Sequence, residues 1–438
     1  MELDTIDWYI FSLRVIVMKK SFLNAVENVK NQINNINFML KTRMKSTYFT
    51  RNCAKMSFTD AIYFILKNNT RTMQIELNEF FKENKESGTS MTKQAFSQLR
   101  EKVNPEAFID LNDNFINWFY NDGEFRRYRG FRLLAVDGSI TEVPNTDKTR
   151  ECFGYYNNQS ERKLARALVS VIYDVENDFI LESKICNWKT AERDAAKELI
   201  ECLENKGFHN DLIIFDRGYP SKDFISYLEG KGLKYLIRIK RDKFSTQFDN
   251  ANNADQTIKV EYKQEILYVR VINVTLQTGE VEKLITNVHD ESFTSEDFKN
   301  IYFKRWGVEV KYNQLKSRYE LENFSGSSPI AIMQDFYSAI YLSNMMTLAK
   351  NEANEEIEMQ KTGLKYEYKI NMNILIPKIR NVLIKCLLTD DLSMRNKIFD
   401  EAMSIITKNL VPIRPNRNFS RKEPSRKNKY PVNRKRSM

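Results

Sequence analysis

A mixed α/β fold flanked by helical segments is what this sequence predicts, on three observations. Apolar residues recur at helical spacing, with no alternating stretch, up to about residue 125. From Phe131 the alternation and short apolar runs of strands replace that spacing. A strand meander then gives way to strand, helix, strand, the pattern of a mixed sheet that carries helices. With 438 residues the chain exceeds the usual size of one domain, so several modules are expected.

In residues 1–125, Phe58, Ile62, Ile65 and Leu66, then Met73, Leu77, Phe80 and Phe81, mark apolar helical faces. Ser90 is a candidate cap for a helix through Thr92, Gln94, Ser97, Gln98 and Arg100. That helix reads either as the recognition helix of a helix-turn-helix, which makes 1–125 a DNA-binding region, or as an ordinary surface helix.

Residues 126–350 hold the α/β region. Strands at 132–136, 167–173 and 179–185 form an antiparallel meander, with Asn177 and Asp178 as the turn between the last two. A helix at 190–205, a strand at 212–215, a helix at 221–229 and a strand at 235–239 follow. Residues 241–290 read as an inserted β module: Ile258, Val260 and Tyr262 alternate, Val269 and Val271 continue, and Thr278-Gly279 offers a turn before a strand at 281–286. A long helix begins near Ser295, a candidate cap with Glu296 and Asp297 in the first turn.

Residues 351–410 are expected to be helical. Ile374, Leu375, Ile379, Val382, Leu383 and Cys386 make one apolar stripe, which serves either the core or a dimer contact. Residues 411–438 hold Arg414, Arg417, Arg421, Lys422, Arg426, Lys427, Lys429, Arg434, Lys435 and Arg436 against the single acid Glu423, and so account for nine of the ten net positive charges. Spaced among Pro, Asn and Ser, they cannot pack a core; they either neutralise phosphates or merely solubilise the end.

Composition narrows the chemistry. Cys53, Cys152, Cys186, Cys202 and Cys386 are scattered without a close pair, which disfavours a zinc-ligand spacing or a disulfide framework and suits a reducing compartment. Only His209 and His289 are present, so a multi-histidine metal site is excluded and catalysis is expected to run on carboxylates. The apolar stretch from Trp8 to Met18 is interrupted by Ser12 and Arg14, and no run of about 18 uncharged apolar residues occurs, so a soluble cytoplasmic protein without a membrane segment is expected.

Two aspartates follow apolar strands: Asp137 before Gly138-Ser139, and Asp216 before Arg217-Gly218-Tyr219. The space beyond strand ends is where open sheets bind ligands, although an Asp before Gly also serves as a plain turn residue. On the long helix, Tyr302, Arg305, Glu309 and Lys316 are separated by three, four and seven residues. At about 100° per residue they share a stripe roughly 60° wide. Alone, this stripe also fits a solvated face with an i,i+4 ion pair between Arg305 and Glu309.

The spacing Y-x2-R-x3-E-x6-K, formed by Tyr302, Arg305, Glu309 and Lys316, resembles the signature of the insertion-sequence-four family of bacterial DDE transposases. Val136-Asp137-Gly138-Ser139 and Asp216-Arg217-Gly218-Tyr219 are similar to that family's two aspartate motifs, and Trp306 follows the arginine as is usual there. The resemblance covers roughly residues 55–435, including the segment 365–369. It implies an RNase H-like catalytic domain with an inserted β subdomain, in which Asp137, Asp216 and Glu309 are catalytic and bind metal.

Three converging carboxylates repel one another by roughly 4 kcal/mol per pair at 4 Å and an effective dielectric of 20, and divalent cations relieve this. Oxygen ligands without histidine or thiolate favour Mg²⁺ or Mn²⁺, and two such ions can serve both oxygens of an in-line phosphoryl displacement. The resemblance further implies cleavage of double-stranded DNA at terminal inverted repeats, a hairpin step, joining to target DNA, a homodimer on paired ends and a nucleoid-associated location. Arg305 and Lys316 would then hold phosphates, with Tyr302 placing a backbone phosphate. The β insertion lacks a tryptophan, so a stacking ring would come from Tyr262, Tyr268, Phe244 or Phe248, each of which also reads as core or strand surface. A silent DNA-binding regulator or domesticated remnant, and a nuclease without strand transfer, are the alternatives.

Overall fold

The computed structural model describes residues 21–51, 54–67, 72–85, 88–157, 162–240, 248, 254–275, 279–360 and 367–413. These fall into two units, one of residues before 123, Thr72 excepted, and after 340, the other of Thr72 and residues 123–340. The basic segment 414–438, Trp8 to Met18 and Phe244 lie outside the described residues.

The first unit is mainly helical: α1 (Phe22–Asn34), α2 (Ile36–Thr42), α3 (Phe58–Leu66), α4 (Met73–Asn84), α5 (Lys93–Arg100) and α6 (Glu106–Tyr120). Helical spacing does its expected work here, since Phe58, Ile62, Ile65 and Leu66 of α3 and Leu77, Phe80 and Phe81 of α4 are all buried. Ser90 is not the cap of the candidate recognition helix. Thr92 caps α5 by accepting from the Ala95 amide, so the helix starts at Lys93 and has only eight residues.

In the second unit the chain runs β1 (Arg132–Glu142), α7 (Asp147–Phe153), β2 (Tyr155–Asn157), β3 (Lys163–Asp174), β4 (Phe179–Asn187), α8 (Glu192–Glu204), β5 (Asp211–Phe215), α9 (Lys222–Gly230) and β6 (Lys234–Ile239). β7 (Asp255–Tyr262), β8 (Glu265–Thr275), β9 (Val281–Thr286), α10 (Ser295–Lys304) and α11 (Trp306–Ser317) follow. α12 (Pro329–Gln360) gives its first residues to this unit and those from Tyr341 to the helical one. There it is joined by β10 (Tyr368–Ile370), α13 (Met372–Leu388), α14 (Leu392–Lys408) and β11 (Leu410–Pro412).

The sheet centre reads β4-β3-β1-β5-β6, with β4, β3 and β1 antiparallel and β5 and β6 parallel to β1. A three-strand meander continued by two parallel strands is the RNase H-like arrangement. The strands of the segment 241–290, β7, β8 and β9, continue this sheet: β9 pairs antiparallel with β6 and carries it on through β8 to β7. Strand partners distant in sequence decide this, and alternation within one segment cannot reveal it.

The register between β1 and β5 is pinned where both strands start. Arg132 lies opposite Asp211 and binds it through two bonds of 2.8 Å, with both side chains buried. Leu133 of β1, Leu212 and Ile214 of β5 and Leu236 of β6 form one apolar cluster with Phe298, Ile301 and Tyr302 of α10. Side chains alternate along a strand, so residues two and four positions beyond these share the face that α10 covers.

The long helix expected from Ser295 is interrupted. Its cap is Thr294, one residue earlier, in a reciprocal box with Asp297. At Arg305 the amides of Arg305 and Val308 bond three residues back, to Tyr302 and Arg305, which tightens the turn and separates α10 from α11. The stripe of Ile374 to Cys386 goes to the core: Leu375, Ile379, Val382, Leu383 and Cys386 are buried, and α13 packs on α1, α3 and α14. Among the described residues no helix is long and apolar enough to cross a membrane.

Candidate active site

Parallel pairing brings Asp137 and Asp216 together. Ala135 of β1 stands opposite Ile214 of β5, and two residues further on each chain are Asp137 and Asp216. Adjacent strands lie about 4.8 Å apart, so the aspartates are near neighbours on the face shared by Leu133 and Leu212. Only Asp216 follows the end of its strand. Asp137 is inside β1, because the ladder to β3 continues from Asp137 opposite Val171 as far as Glu142 opposite Arg166. After Asp216 the chain turns tightly, with the Gly218 amide donating to Asp216 Oδ1 at 2.7 Å.

α11 is seated on β1. Gly307 permits a close approach to the adjacent strand β3, since a Cβ there would lie 3.2 Å from Tyr173 Cε1. Lys311 donates to the Asp178 carboxylate and carbonyl at 3.1 and 3.0 Å, and the Tyr312 hydroxyl donates to the backbone carbonyls of Asp137 and Val169 at 2.9 and 3.2 Å. Lys316 donates to Ser139 Oγ and the Ile140 carbonyl, each at 2.8 Å. The ammonium is thus tied to the strand just beyond Asp137.

Arg305 stands between the acids. Its guanidinium pairs with Glu309 at 2.7 Å and opposes the upward shift of Asp137, while its Nε is buried without a hydrogen-bond partner. The i,i+4 ion pair is therefore real, and it occupies Glu309. Tyr302 is buried in the apolar cluster; burial raises its phenol, and the adjacent Arg305 opposes that shift.

Burial pushes the Asp137 carboxyl up to about 7, the charges of Asp216 and Glu192 add to the shift, and Arg305 and the Gly138 amide oppose it. Glu192, the first residue of α8, belongs to no motif legible in the sequence. Its own carboxyl is raised by burial and by Asp216. Tyr219 is fully buried, its hydroxyl has no hydrogen-bond partner, and burial followed by the charges of Glu192, Asp137 and Asp216 holds its phenol well above its ordinary range.

Among the described residues no three His, Cys, Asp or Glu side chains are close enough to hold a metal ion as they stand. Asp137 and Asp216 are brought together, whereas Glu309 is held to Arg305. The donor chemistry nevertheless suits a hard divalent cation: carboxylate oxygens only, with an unpartnered tyrosyl hydroxyl beside them.

Of the aromatic residues considered for stacking, Phe248 is fully buried and cannot receive a base, while Tyr268 on β8 is 58% exposed. Tyr262 is half-buried, with its hydroxyl 3.4 Å from Asp223.

Residues 128–345 match the family described as Transposase DDE domain. The chain is 19% identical over 268 residues to the transposase InsG for insertion sequence element IS4 of Escherichia coli strain K12, covering 58% of this chain and 60% of that protein. The chain thus spans less than two thirds of the length of that relative. A cryo-EM structure of the piggyBac transposase synaptic complex with hairpin DNA aligns with a TM-score of 0.47 at 11% identity, over 90% of this chain and 87% of that one.

Proposed function

We propose, from a chain whose residues 128–345 match a transposase DDE domain, that this protein cuts DNA at the ends of an insertion sequence and joins those ends to target DNA. The observation that carries the reading is the β1–β5 register, which sets Asp137 and Asp216 level on the face that α10 covers, with Arg305 and Glu309 following at the α10–α11 junction.

Asp137, Asp216 and Glu309 are the residues that would hold Mg²⁺ or Mn²⁺, in two ions. Such ions, when bound, stabilise the attacking and leaving oxygens of an in-line phosphoryl displacement. The chain's own residues do the rest. Arg305 neutralises Asp137 and Glu309 in the resting site, and Glu309 must leave that pair to become a ligand. The freed guanidinium, partly unpartnered already, then presents a planar donor fork suited to a DNA phosphate. Lys316 keeps the strand after Asp137 in place through Ser139 and Ile140, and adds positive charge beside the incoming backbone. Tyr302, packed in the apolar cluster, fixes the start of this junction, and in this reading its phenol places a backbone phosphate. DNA with terminal inverted repeats, target DNA and a second copy of the chain on paired ends are the partners this reading requires, and a hairpin is its intermediate.

The test incubates the protein and its Glu309→Gln variant with Mg²⁺ and a duplex carrying the element's own end. Nicked, hairpin and joined products from the wild type alone support the reading. Nicks without joined product would make the chain a nuclease, and binding without cleavage in Mg²⁺ or Mn²⁺ would make it a silent DNA-binding protein.

A further inference from the structure

We infer that Lys311, held by the turn between β3 and β4, is a positioning residue for Glu309: it fixes the rotation of α11 about its own axis while the Glu309 carboxylate passes from Arg305 to a bound cation. The inference rests on the reading of Glu309 as a metal ligand in DNA cleavage.

The turn is built to stay where it is. Asp174, fully buried at the end of β3, accepts from the amides of Glu176 and Asn177 at 2.9 and 3.0 Å and from the Asn177 side-chain amide at 2.8 Å. The Asn177 side chain also donates to the Arg126 carbonyl and accepts from the Arg126 amide, each at 3.0 Å. Asp178 holds a left-handed φ of 62°, a conformation that costs any residue with a Cβ and that Asn and Asp tolerate best after Gly.

From this turn one carboxylate goes to each side of the break at Arg305. Glu176 pairs with Lys304, the last residue of α10. Asp178 takes Lys311 of α11 through its carboxylate at 3.1 Å and its carbonyl at 3.0 Å, and its carboxylate also accepts from the Tyr173 hydroxyl at 2.9 Å. Lys311 is only 2% exposed. The Tyr173 ring is also what Gly307 lies against, so the same corner of the meander touches α11 one turn earlier. Glu309 stands two residues before Lys311, about 200° away around the helix, so this clamp grips the back of α11 and leaves its front to the acid.

Stability alone does not explain the pair. Taking an ammonium out of water is costly, and an apolar pair of similar volume often serves a core as well. A lysine shared between a carboxylate and a carbonyl adds a single seating, since rolling α11 by one position would break both bonds. The helix needs that seating: it starts at a break with no side-chain cap, and the pair of Arg305 and Glu309 holds only until Glu309 is recruited.

The test is first-strand nicking, by the full chain in Mg²⁺, of a duplex carrying the element's own end, in single turnover at saturating protein and well below every melting temperature. Affinity for the same duplex in Ca²⁺ and thermal melting are read alongside. Lys311→Met leaves the Asp178 charge without its lysine; it should lower the melting temperature and slow nicking about 100-fold with DNA affinity unchanged. Lys311→Met/Asp178→Asn removes both charges and keeps a residue suited to the left-handed turn, so melting should recover while nicking stays slow. Recovery of the nicking rate together with melting would make the pair a prop for stability only and overturn the inference, as would wild-type nicking by Lys311→Met. A loss read in DNA affinity rather than in rate would overturn it too. A double variant that melts no higher than Lys311→Met would dissolve the pairing with Asp178 and overturn it as well. No nicking by the wild type would instead remove the reading of the site as a DNA-cleaving centre, and this inference with it.

Discussion

Arg132 and Asp211 form a buried, two-bond ion pair at the first residues of two parallel strands, and five residues beyond them stand Asp137 and Asp216. The pair fixes the register on which the two aspartates depend. A slip of one residue would turn one of them to the other face of the sheet.

Arg132→Met would leave the Asp211 charge buried without its partner, and a loss of about 3–5 kcal/mol is expected in urea denaturation. The double variant Arg132→Met/Asp211→Met should recover most of this, because an apolar pair of similar volume is often as stable as the ion pair. A double variant no better than the single would show that the two residues do not act as a pair.

Arg305 is the cation of the resting site, so Arg305→Ala leaves Glu309 unpaired and Asp137 more crowded by negative charge. A loss on the order of 1 kcal/mol, about 2–4 °C of melting temperature for a domain of this size, is expected without metal. Saturating Ca²⁺ should raise the melting temperature of the variant more than that of the wild type. Equal shifts would remove Arg305 as the counter-charge.

Tyr268 is exposed on β8 and Phe248 is fully buried. If a ring from the sheet extension supports the bent strand, Tyr268→Ala should lower hairpin yield several-fold while first-strand nicking persists, since stacking contributes about 1–3 kcal/mol per base. Phe248→Ala should instead act on stability, by about 3–5 kcal/mol, through the cavity it leaves. A Tyr268→Ala protein with an unchanged ratio of hairpin to nick would place the stacking ring elsewhere.

Deleting residues 414–438 removes nine net positive charges and leaves the β10–β11 pair intact. If this segment neutralises phosphates, the plot of log affinity against log salt should flatten by about 0.9 for every phosphate that the shortened chain no longer neutralises. The same slope before and after deletion would make the segment a solubilising end only.

Both aspartates, Glu309 and the helix signature were legible because their chemistry sits in short strings: an apolar run then Asp-Gly, or charges at fixed helical spacing. Glu192 was not. In the sequence it is one acid at the start of an amphipathic helix, and only the packing of α8 on β1 brings its charge near Asp137. Helix starts differ by one or two residues from the sequence expectation where two hydroxyl residues compete, as at Ser295 against Thr294 and Ser90 against Thr92, since a cap depends on which oxygen reaches a free amide. The sheet extension reads as strands in the sequence, but its partner, β6, is chosen by long-range pairing. The break at Arg305 is marked in the sequence only by Gly307 two residues on, and a single glycine inside a helical pattern does not by itself announce a break.

β1 passes through Asp137 without ending, held by β3 on one side for five residues more. The aspartate's backbone is thus part of the ladder to β3, and the amides paired in that ladder exchange with solvent only when the two strands part. Asp216, at the head of a tight turn, is free of that constraint. On warming, the two halves of the site should therefore loosen at different points: Asp216 with its local turn, and Asp137 only when the whole sheet melts.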